Sequence, residues 1–423
     1  MILYRGEICE DKELPRLLER LEADCLETIA GQTIDRETVV AACDALARRV
    51  EAGDYDSVLQ PFLTAFSIDP ARFREALFLF KREALSYKLA VELGPEDLPD
   101  LTPPGRAPIR RRRMPLGVLF HMAAGNVDGL PAYSVVEGLL AGNVNILKLP
   151  AQDRGASLLL LRELVRLEPR LRDFVYVFDV PSTDLQSLER FAKIADAVVV
   201  WGGDEAVRAA RTLAGPDTAL ICWGHKLSFA YAVPPVSDGD LEALADHICA
   251  TGQLLCSSCQ GIFLDTGDMG EVYALAERLF PILQAAARRH PPADPALRAR
   301  ATLELYAREL EADSGGRRIC RGGGVSVTAA PDSRLELGLL AGNCWVKPLP
   351  RDQIVPRLKP RKGYLQTAGL LCPEGERAAL SALLARAGVV RVTGPGDMSR
   401  TVPGEAHDGT YPLAAYTRIV EVS

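Results

Sequence analysis

Hydrophobic and polar positions follow a helical period through the first quarter of the chain. Apolar residues recur at helical spacing in residues 14–21 and 39–50, and residues 73–90 carry the same pattern. Prolines then crowd residues 99–108, which predicts a linker. We therefore expect residues 1–105 to form a helical N-terminal region.

Beyond this region, short apolar runs alternate with helical stretches of 10–15 residues. The runs lie at residues 116–122, 144–149, 174–180 and 197–201, and the helical stretches at 131–140, 156–168 and 185–195. This alternation predicts βαβ units whose parallel sheet is covered on both faces. The pattern is looser from residue 226, as expected for a second α/β domain, and residues 416–422 form a last predicted strand.

Composition excludes some classes of protein. The 423 residues carry 49 Lys and Arg against 56 Asp and Glu, a net charge of −7, which argues against a nucleic-acid partner. No uncharged stretch reaches the ~20 residues of a membrane-spanning helix, and the start lacks the pattern of a signal peptide. Ten scattered cysteines are typical of reduced thiols, so a cytoplasmic location is expected.

The segment TGQLLCSSCQG at residues 251–261 carries the strongest chemical signal. A thiolate at Cys256 would be a nucleophile for a thioester or aldehyde carbonyl, while a buried structural cysteine is the alternative. The spacing to Cys259 also suits a redox pair or half of a zinc site. No second ligand pair has suitable spacing, so we predict no metal. A reversible Cys256–Cys259 disulfide that inactivates the nucleophile is a further hypothesis.

Three other segments carry candidate residues. Asn126 lies between a predicted strand and a helix, where its amide could stabilise an oxyanion or cap the helix. Gly202 and Gly203 end a predicted strand at a helix start, which is either an anion site or a plain turn. His225, which follows Gly224, is either a base or a hydrogen-bonded side chain.

The pentapeptide LLAGN occurs twice, at residues 139–143 and 339–343, each time before an apolar run. Because Gly and Asn tolerate the left-handed conformation, both copies predict the end of a helix followed by a strand. Duplicated nucleotide-binding halves are the alternative.

These segments, in this order, resemble the aldehyde dehydrogenase superfamily. The run GNVNILKLP with Lys148, the CSS around Cys256 and the ending HDGTYPL from His407 are most similar to LuxC-type fatty acyl-CoA reductases. The resemblance covers about residues 30–423. It implies an aldehyde dehydrogenase-like α/β fold, with a Rossmann-like cofactor domain plus an α/β catalytic domain.

The predicted domains follow from this resemblance. They are a helical N-terminal region at 1–105, a cofactor-binding domain at 106–225 with packing from the N-terminal helices, a catalytic domain with the nucleophilic cysteine at 226–405, and a C-terminal segment at 406–423 as an oligomerisation strand. The resemblance also implies a homodimer or homotetramer.

The resemblance assigns roles to single residues. Cys256 is the implied nucleophile and Asn126 its oxyanion donor, while Lys148 would bind the adenosine ribose of a nicotinamide cofactor. Gly202 and Gly203 lie where the family binds pyrophosphate. The remaining candidate site residues are Gly224, His225, Cys259, Arg154, His407 and Asp408.

One departure from the superfamily bears on the reaction. Hydrolytic aldehyde dehydrogenases carry a water-activating glutamate where this chain has Cys222. The sequence thus predicts NADPH-dependent reduction of an acyl-CoA, of fatty type, to the aldehyde through an acyl-Cys256 thioester, with coenzyme A leaving. The alternatives are an acyl-phosphate or carrier-bound acyl reductase, a non-acylating aldehyde dehydrogenase, and a non-catalytic acyl- or nucleotide-binding homologue.

The preference for NADPH rests on two residues. NAD-dependent superfamily members often have a glutamate three residues after the lysine, where this chain has Ala151. Without that carboxylate there is room for a 2′-phosphate, which Arg154 could pair with. NADH is the alternative.

Overall fold

The structure is a computed structural model that describes residues 1–57, 59, 77–95, 97–123, 129–153, 155–291, 295–311 and 315–423. The chain divides into two compact units. The first unit combines Met1–Gly224 with Val402–Ser423, and the second is His225–Thr401. The functional roles of the predicted domains stay predictions.

The first unit is built on a seven-stranded sheet. Its strands, in spatial order, are β2 (Glu7–Cys9), β1 (Ile2–Tyr4), β7 (Val175–Phe178), β6 (Val144–Lys148), β5 (Val118–Met122), β8 (Ala197–Trp201) and β9 (Ala219–Trp223). The five strands from β7 to β9 are parallel, as the alternating pattern predicts. Every residue of β7 is buried, as expected of a parallel strand covered on both faces.

Helices of the first unit connect and cover these strands. They are α1 (Leu14–Gly31), α2 (Arg36–Ala52), α3 (Arg82–Glu92), α4 (Leu130–Leu140), α5 (Ala156–Leu167), α6 (Leu185–Ile194), α7 (Asp204–Leu213) and the short α13 (Pro412–Ala415), numbered in chain order. The helical periodicities at 14–21 and 39–50 are thereby confirmed. Asp35 begins α2 by accepting a hydrogen bond from the backbone N–H of Thr38 at 2.8 Å.

The N-terminal region is not purely helical, which corrects the sequence prediction. Its first residues form β1 and β2, and β1 pairs antiparallel with β7. The proline-rich stretch is also not all linker, because β3 (Asp97–Leu101) extends into its first residues. Three-residue strands and a strand that contains proline carry too little pattern to be recognised from sequence.

A small antiparallel sheet completes the first unit. Its order is β17 (Thr417–Val422), β4 (Ile109–Pro115) and β3. The predicted C-terminal strand is therefore present, and it pairs with β4 of its own chain from Thr417 to Val422. β17 is an edge strand of this sheet, and its other side pairs with no strand among the described residues.

The second unit has its own seven-stranded sheet. The order is β12 (Arg318–Gly322), β13 (Val325–Ala329), β14 (Asn343–Pro348), β11 (Cys259–Leu264), β10 (Leu227–Ala232), β15 (Leu365–Leu371) and β16 (Arg391–Thr393). Only β12 is antiparallel to its neighbour. The helices of this unit are α8 (Asp238–Thr251), α9 (Met269–Arg289), α10 (Pro295–Glu311), α11 (Ile354–Leu358) and α12 (Glu374–Ala387).

The two LLAGN copies have different structures. At 139–143 the segment ends α4 and precedes β6, as predicted. At 339–343 it precedes β14, but no helix comes before it, so that part of the prediction is wrong. Instead Leu340 and Ala341 take positive φ angles of 65° and 50°.

A buried polar network lies beneath α4 in the first unit. His121 contacts Ser134 Oγ through Nδ1 at 2.8 Å and Asn145 Oδ1 through Nε2 at 3.0 Å. The amide of Asn145 donates to the backbone carbonyl of Asn143 at 2.7 Å, which leaves its oxygen to accept from His121. Burial lowers the pKa of His121 to about 4, so the ring is neutral at pH 7.

None of the described helices is long and apolar enough to cross a membrane.

Gly138 supplies a test of this packing. Replacing a helical glycine by alanine normally stabilises a helix by about 1 kcal/mol. A Cβ at Gly138 would lie 1.8 Å from Asn145 Oδ1, which cannot shift without losing its contact with His121. We expect Gly138→Ala to destabilise the first unit by about 2 kcal/mol, measured as a lower melting temperature by calorimetry.

Gly239→Ala is the matched control. Gly239 also lies in a helix, α8, but no heavy atom comes within 4 Å of the position that a Cβ would take there. This variant should melt at or above the wild-type temperature. A Gly138→Ala protein that melts no lower than wild type would contradict the close packing of α4 on Asn145.

Candidate active site

Cys256 lies on the loop between α8 and β11. The helix ends at Gly252, and Gln253 follows it with a positive φ angle of 63°, so two successive left-handed residues turn the chain sharply. A tight turn then links Leu255 and Ser258, whose hydroxyl accepts from the Leu255 N–H at 3.1 Å. As a result, Cys256 is exposed near the tip of the loop.

Two buried glutamines brace this loop from below. The Gln253 amide donates to the carbonyl of Cys259, and the Gln260 amide donates to the carbonyl of Gln253, each at 3.1 Å. Their side-chain oxygens accept the backbone N–H groups of Gly342 at 3.2 Å and Gly338 at 3.1 Å. The second LLAGN segment is thereby bonded to the loop that carries Cys256.

Two hydrogen bonds hold Cys256 itself, and a third supports one of its partners. Its sulfur accepts a hydrogen bond from Gln366 Nε2 at 3.3 Å. Its carbonyl accepts from the hydroxyl of Ser228 at 2.7 Å, and that hydroxyl accepts from the Thr367 N–H at 3.0 Å. Sequence reasoning assigns no role to Ser228 or Gln366, because neither forms a motif with the cysteine along the chain.

Cys259 has a different environment from Cys256. It is fully buried, its thiol donates to the carbonyl of Gly261 at 3.2 Å, and burial raises its pKa to about 12. A protonated, buried thiol is a poor partner for thiol–disulfide exchange. The regulatory disulfide with Cys256 stays a hypothesis.

His247 supports the base of the same loop. It lies on α8, and its Nε2 accepts the backbone N–H of Cys259 at 3.3 Å. Burial lowers its pKa to about 4, so the ring is neutral and able to accept this hydrogen bond at pH 7.

Lys148 ends β6 in the first unit. Its ammonium donates to Ser182 Oγ at 2.9 Å, and burial lowers its pKa while the charge of Asp179 opposes that effect. The residues that follow Lys148 along the chain help to line a cavity of about 240 Å³. Its lining residues are Met1, Leu149, Pro150, Ala151, Gly155, Leu158 and Asp179.

The paired glycines lie as predicted between β8 and α7. The Gly202 N–H donates to the carbonyl of Trp223 at 3.1 Å, and a Cβ at Gly202 would lie 2.9 Å from that of Ala206. Gly203 caps α7 and has open space where a side chain would begin. The helix start is thus accessible, although Asp204 and Glu205 place negative charge in its first turn.

Gly224 and His225 follow β9 and stand at the boundary of the two units. In the second unit the His225 ring meets that of Tyr364 edge-on, with centroids 6.3 Å apart. Lys226 donates to the carbonyl of Gly363 at 3.0 Å. Among the described residues, His225 makes no hydrogen bond to the loop that carries Cys256.

His407 lies in an aromatic cluster of the first unit. Its ring centroid is 5.0 Å from that of Trp201 and 5.2 Å from that of Trp223, the last residues of β8 and β9. Asp408 adopts a positive φ angle of 50°, and its carboxylate lies 4.0 Å from the His407 ring. No pattern along the chain indicates this aromatic packing.

Two predicted residues fall outside the described part of the chain. These are Asn126, the predicted oxyanion donor, and Arg154, the predicted phosphate partner. Among the residues described, the second unit places Cys256 on the loop before β11 and Cys259 at the start of β11. The first unit holds Lys148, the paired glycines, His407 and Asp408. No cluster of three or more potential metal ligands occurs within the described ranges.

Solved structures establish the class of fold. The chain superposes on the NAD-dependent benzaldehyde dehydrogenase from Corynebacterium glutamicum with a TM-score of 0.69, 13% identity, and coverage of 97% of this chain and 90% of that one. For the NADP-dependent glyceraldehyde-3-phosphate dehydrogenase from Bacillus halodurans the TM-score is 0.74, with 13% identity and coverage of 100% and 98%. The chain therefore has the aldehyde dehydrogenase-like α/β fold.

The family follows from the sequence. Residues 33–419 match the acyl-CoA reductase (LuxC) family model, so the chain belongs to that family. It is 25% identical to the long-chain acyl-protein thioester reductase of Aliivibrio fischeri over 73% of this chain and 64% of that protein. For the Photorhabdus luminescens protein of the same name the identity is 26% over 71% and 63%. The chain thus spans less than two thirds of these relatives.

The neutral state of His247 gives a testable pH dependence. Its pKa falls from about 6.5 in an unfolded chain to about 4 in the fold, so the unfolded state binds the proton more readily. The stabilisation is complete above pH 6.5 and is lost as the pH falls towards 4, by about 3 kcal/mol. We expect the melting temperature of the second unit to decline over this range.

His247→Gln should weaken that decline, because the amide oxygen can accept the Cys259 N–H without titrating. His290→Gln is the control, since His290 lies at the end of α9 and is only partly buried. If His247→Gln and His290→Gln give the same pH profile as wild type, His247 does not cause the loss.

Proposed function

We propose that this protein reduces an acyl group, delivered as a thioester, to the aldehyde through an acyl-Cys256 intermediate. The observation that carries the proposal is the exposure of one thiol. All ten cysteines lie in the described residues, and Cys256 alone is exposed. Burial raises the pKa of eight others: Cys9, Cys25, Cys43, Cys249, Cys259, Cys320, Cys344 and Cys372.

The covalent step needs a nucleophile that is fixed and accessible. The Cys256 thiolate attacks the acyl carbonyl, a carbon–sulfur bond forms, and the bond to the carrier sulfur breaks. The carrier leaves as a thiolate that takes up a proton from water. The hydrogen bonds of Ser228 and Gln366 hold Cys256 in place for this attack.

The fate of the acyl-enzyme depends on the residue that stands at the position of the superfamily's water-activating glutamate. Cys222, half-buried on β9, occupies the position where hydrolytic members of the superfamily carry glutamate. A thiol activates water poorly, so the acyl-Cys256 thioester would persist until it is reduced. This favours reduction over aldehyde oxidation.

The names of related proteins give two carriers for the acyl group. The family description names acyl-CoA, whereas the relatives from Aliivibrio fischeri and Photorhabdus luminescens are named for acyl-protein thioesters. Both are thioesters and lead to the same acyl-Cys256. We propose a fatty acyl thioester as the substrate class, with coenzyme A or a carrier protein as the leaving group.

Residues of the first unit fit a nicotinamide cofactor. Lys148 lies beside a cavity at the carboxyl edge of the parallel sheet, and the start of α7 at Gly203 is open. We propose that Lys148 binds the adenosine ribose and that Gly202 and Gly203 face the pyrophosphate. When bound, the cofactor supplies the hydride for reduction of the thioester.

The resemblance to related reductases also underlies a proposal about assembly. We propose a homodimer or homotetramer, in which the free edge of β17 with its exposed Ile419 and Val422 contributes to the contact. A cytoplasmic location stays a prediction from cysteine usage.

Acylation of Cys256 is the first test. The protein is incubated with straight-chain acyl-CoAs of increasing length, and separately with the same acyl groups on a carrier protein, without cofactor. We expect intact-protein mass spectrometry to find one added acyl group in wild type and none in Cys256→Ala. Comparison of the two donors identifies the carrier.

Cys320→Ala is the matched control, because Cys320 lies in the same unit but is half-buried. This variant should acylate like wild type. An adduct that persists in Cys256→Ala, or no adduct from either donor with the thiols reduced, would rule out the proposed intermediate.

Cofactor preference is the second test. We propose NADPH, because Ala151 leaves room in the cavity beside Lys148 for a 2′-phosphate. Ala151→Glu places a carboxylate there, and we expect NADPH affinity to fall at least about tenfold with less effect on NADH. Equilibrium titration of cofactor fluorescence measures both affinities.

Asp179 favours NADH as the second candidate, since its carboxylate lines the same cavity and would repel a 2′-phosphate. Asp179→Asn should then strengthen NADPH binding.

Ala378→Glu, on α12 in the second unit, controls for the charge that Ala151→Glu adds. Unchanged NADPH affinity in Ala151→Glu would remove the argument from Ala151.

A further inference from the structure

The side chain of Gln366 contacts the reacting atom of the proposed nucleophile. Gln366 is the second residue of β15 and only 6% exposed, and its Nε2 donates to Cys256 Sγ at 3.3 Å. This distance suits an N–H···S hydrogen bond. The amide lies on the protein side of the thiol, which leaves the exposed side of Cys256 open to substrate.

Strand order explains how residues 110 positions apart in the chain come together. β10 lies between β11 and β15, and the three strands are parallel, so their amino-terminal ends share one edge of the sheet. Cys256 precedes β11, while Gln366 begins β15. The register of β10 shifts against both neighbours beyond Ser228 and Leu227. Such irregularities occur next to active sites, where they redirect side chains.

A second connection keeps Cys256 and Gln366 in register. The Thr367 N–H donates to Ser228 Oγ, and that hydroxyl donates to the Cys256 carbonyl. Consecutive residues of β15 therefore hold both the sulfur and the backbone of the cysteine. The backbone of the loop at Cys256 cannot move away from β15 without breaking this bridge.

We infer that Gln366 stabilises the thiolate of Cys256 and thereby sets its reactivity. The inference rests on the proposed function of Cys256 as nucleophile. A carboxamide N–H does not titrate, so it donates to the sulfur at every working pH. A hydrogen bond that favours the charged form of a group lowers the pKa of an acid such as a thiol.

The same donor assists at the end of the reaction. When the thiohemiacetal collapses, its hydroxyl proton passes to water and the carbonyl double bond forms. The carbon–sulfur bond breaks and its electron pair stays on Cys256 Sγ. The returning thiolate again accepts the Gln366 N–H, so one side chain stabilises the sulfur as nucleophile and as leaving group.

The test is the pH profile of Cys256 alkylation by iodoacetamide in the whole chain. Mass spectrometry of the peptide that contains Cys256 separates its rate from those of the other cysteines. Gln366→Met keeps the length of the side chain but removes the donor. We expect the apparent pKa of Cys256 to rise by about one pH unit, so that alkylation on the acidic side slows about tenfold.

The alkaline end of the profile distinguishes an electronic effect from a loss of structure. There the thiolate is fully formed in both proteins, and the rates should converge. Gln366→Glu is the second variant, because it preserves size and places a carboxylate beside the sulfur. The apparent pKa of Cys256 should rise further in Gln366→Glu than in Gln366→Met.

Gln284→Met is the matched control, since Gln284 lies on α9 against the turn at Gly322. It should leave the Cys256 profile unchanged. Circular dichroism verifies that each variant is folded.

Two failures are distinguishable. If Gln366→Met and Gln366→Glu both leave the pH profile of Cys256 at its wild-type position while Cys256 still acquires an acyl group, this inference is overturned and the proposed function stands. If wild-type Cys256 acquires no acyl group from either thioester donor, the proposed function fails, and with it the basis of the inference.

Discussion

The hydroxyl of Ser228 fixes the position of the Cys256 backbone relative to the sheet. It accepts the N–H of Thr367 and donates to the carbonyl of Cys256, so it links β15 to the loop that precedes β11. A loop thiol is useful only if its backbone is fixed while its side chain is exposed. Each hydrogen bond contributes about 1 kcal/mol net, but loss of the hydroxyl would leave the buried Thr367 N–H unpaired at about 1–3 kcal/mol. The bridge is therefore more costly to remove than its number of bonds suggests.

Burial gives the thiols of the chain different environments. The environments of Cys249, Cys259 and Cys344 favour the protonated form, because burial raises the pKa of each. These cysteines pack in the core of the second unit and behave as small apolar residues. Cys256 lies only three residues before Cys259, yet it is exposed and its sulfur accepts a hydrogen bond. The turn between Leu255 and Ser258 produces this difference, since it brings Cys256 to the surface just before the chain enters the buried strand β11.

The sequence predicts regular features better than tertiary contacts. Alternating apolar runs predict the parallel strands β5 to β8, because each strand is buried over nearly its whole length. The same reasoning identifies the segment of Cys256 by residue type and by resemblance. It does not find Gln366 or His247, since an amide or a buried ring gains its role only from a contact across the sheet or from a helix above it. The strands β1 and β3 are not predicted for a related reason. They are short or contain proline, and they are defined by pairing with other strands rather than by a hydrophobic pattern.

The two LLAGN segments show how tertiary contacts decide the outcome of one local pattern. In both copies the asparagine amide donates to a backbone carbonyl of the preceding turn, Gly138 in the first and Leu340 in the second, and a strand follows. The first copy forms the end of helix α4. There the Asn143 amide also donates to the carbonyl of Tyr416 at the start of the C-terminal strand. In the second copy the N–H groups of Ala341 and Gly342 bond instead to Gly252 and Gln253. These partners hold Leu340 and Ala341 in the left-handed region, which is unfavourable for residues with a Cβ. The strain is offset by hydrogen bonds to the loop that carries Cys256, so the second copy braces that loop rather than ending a helix.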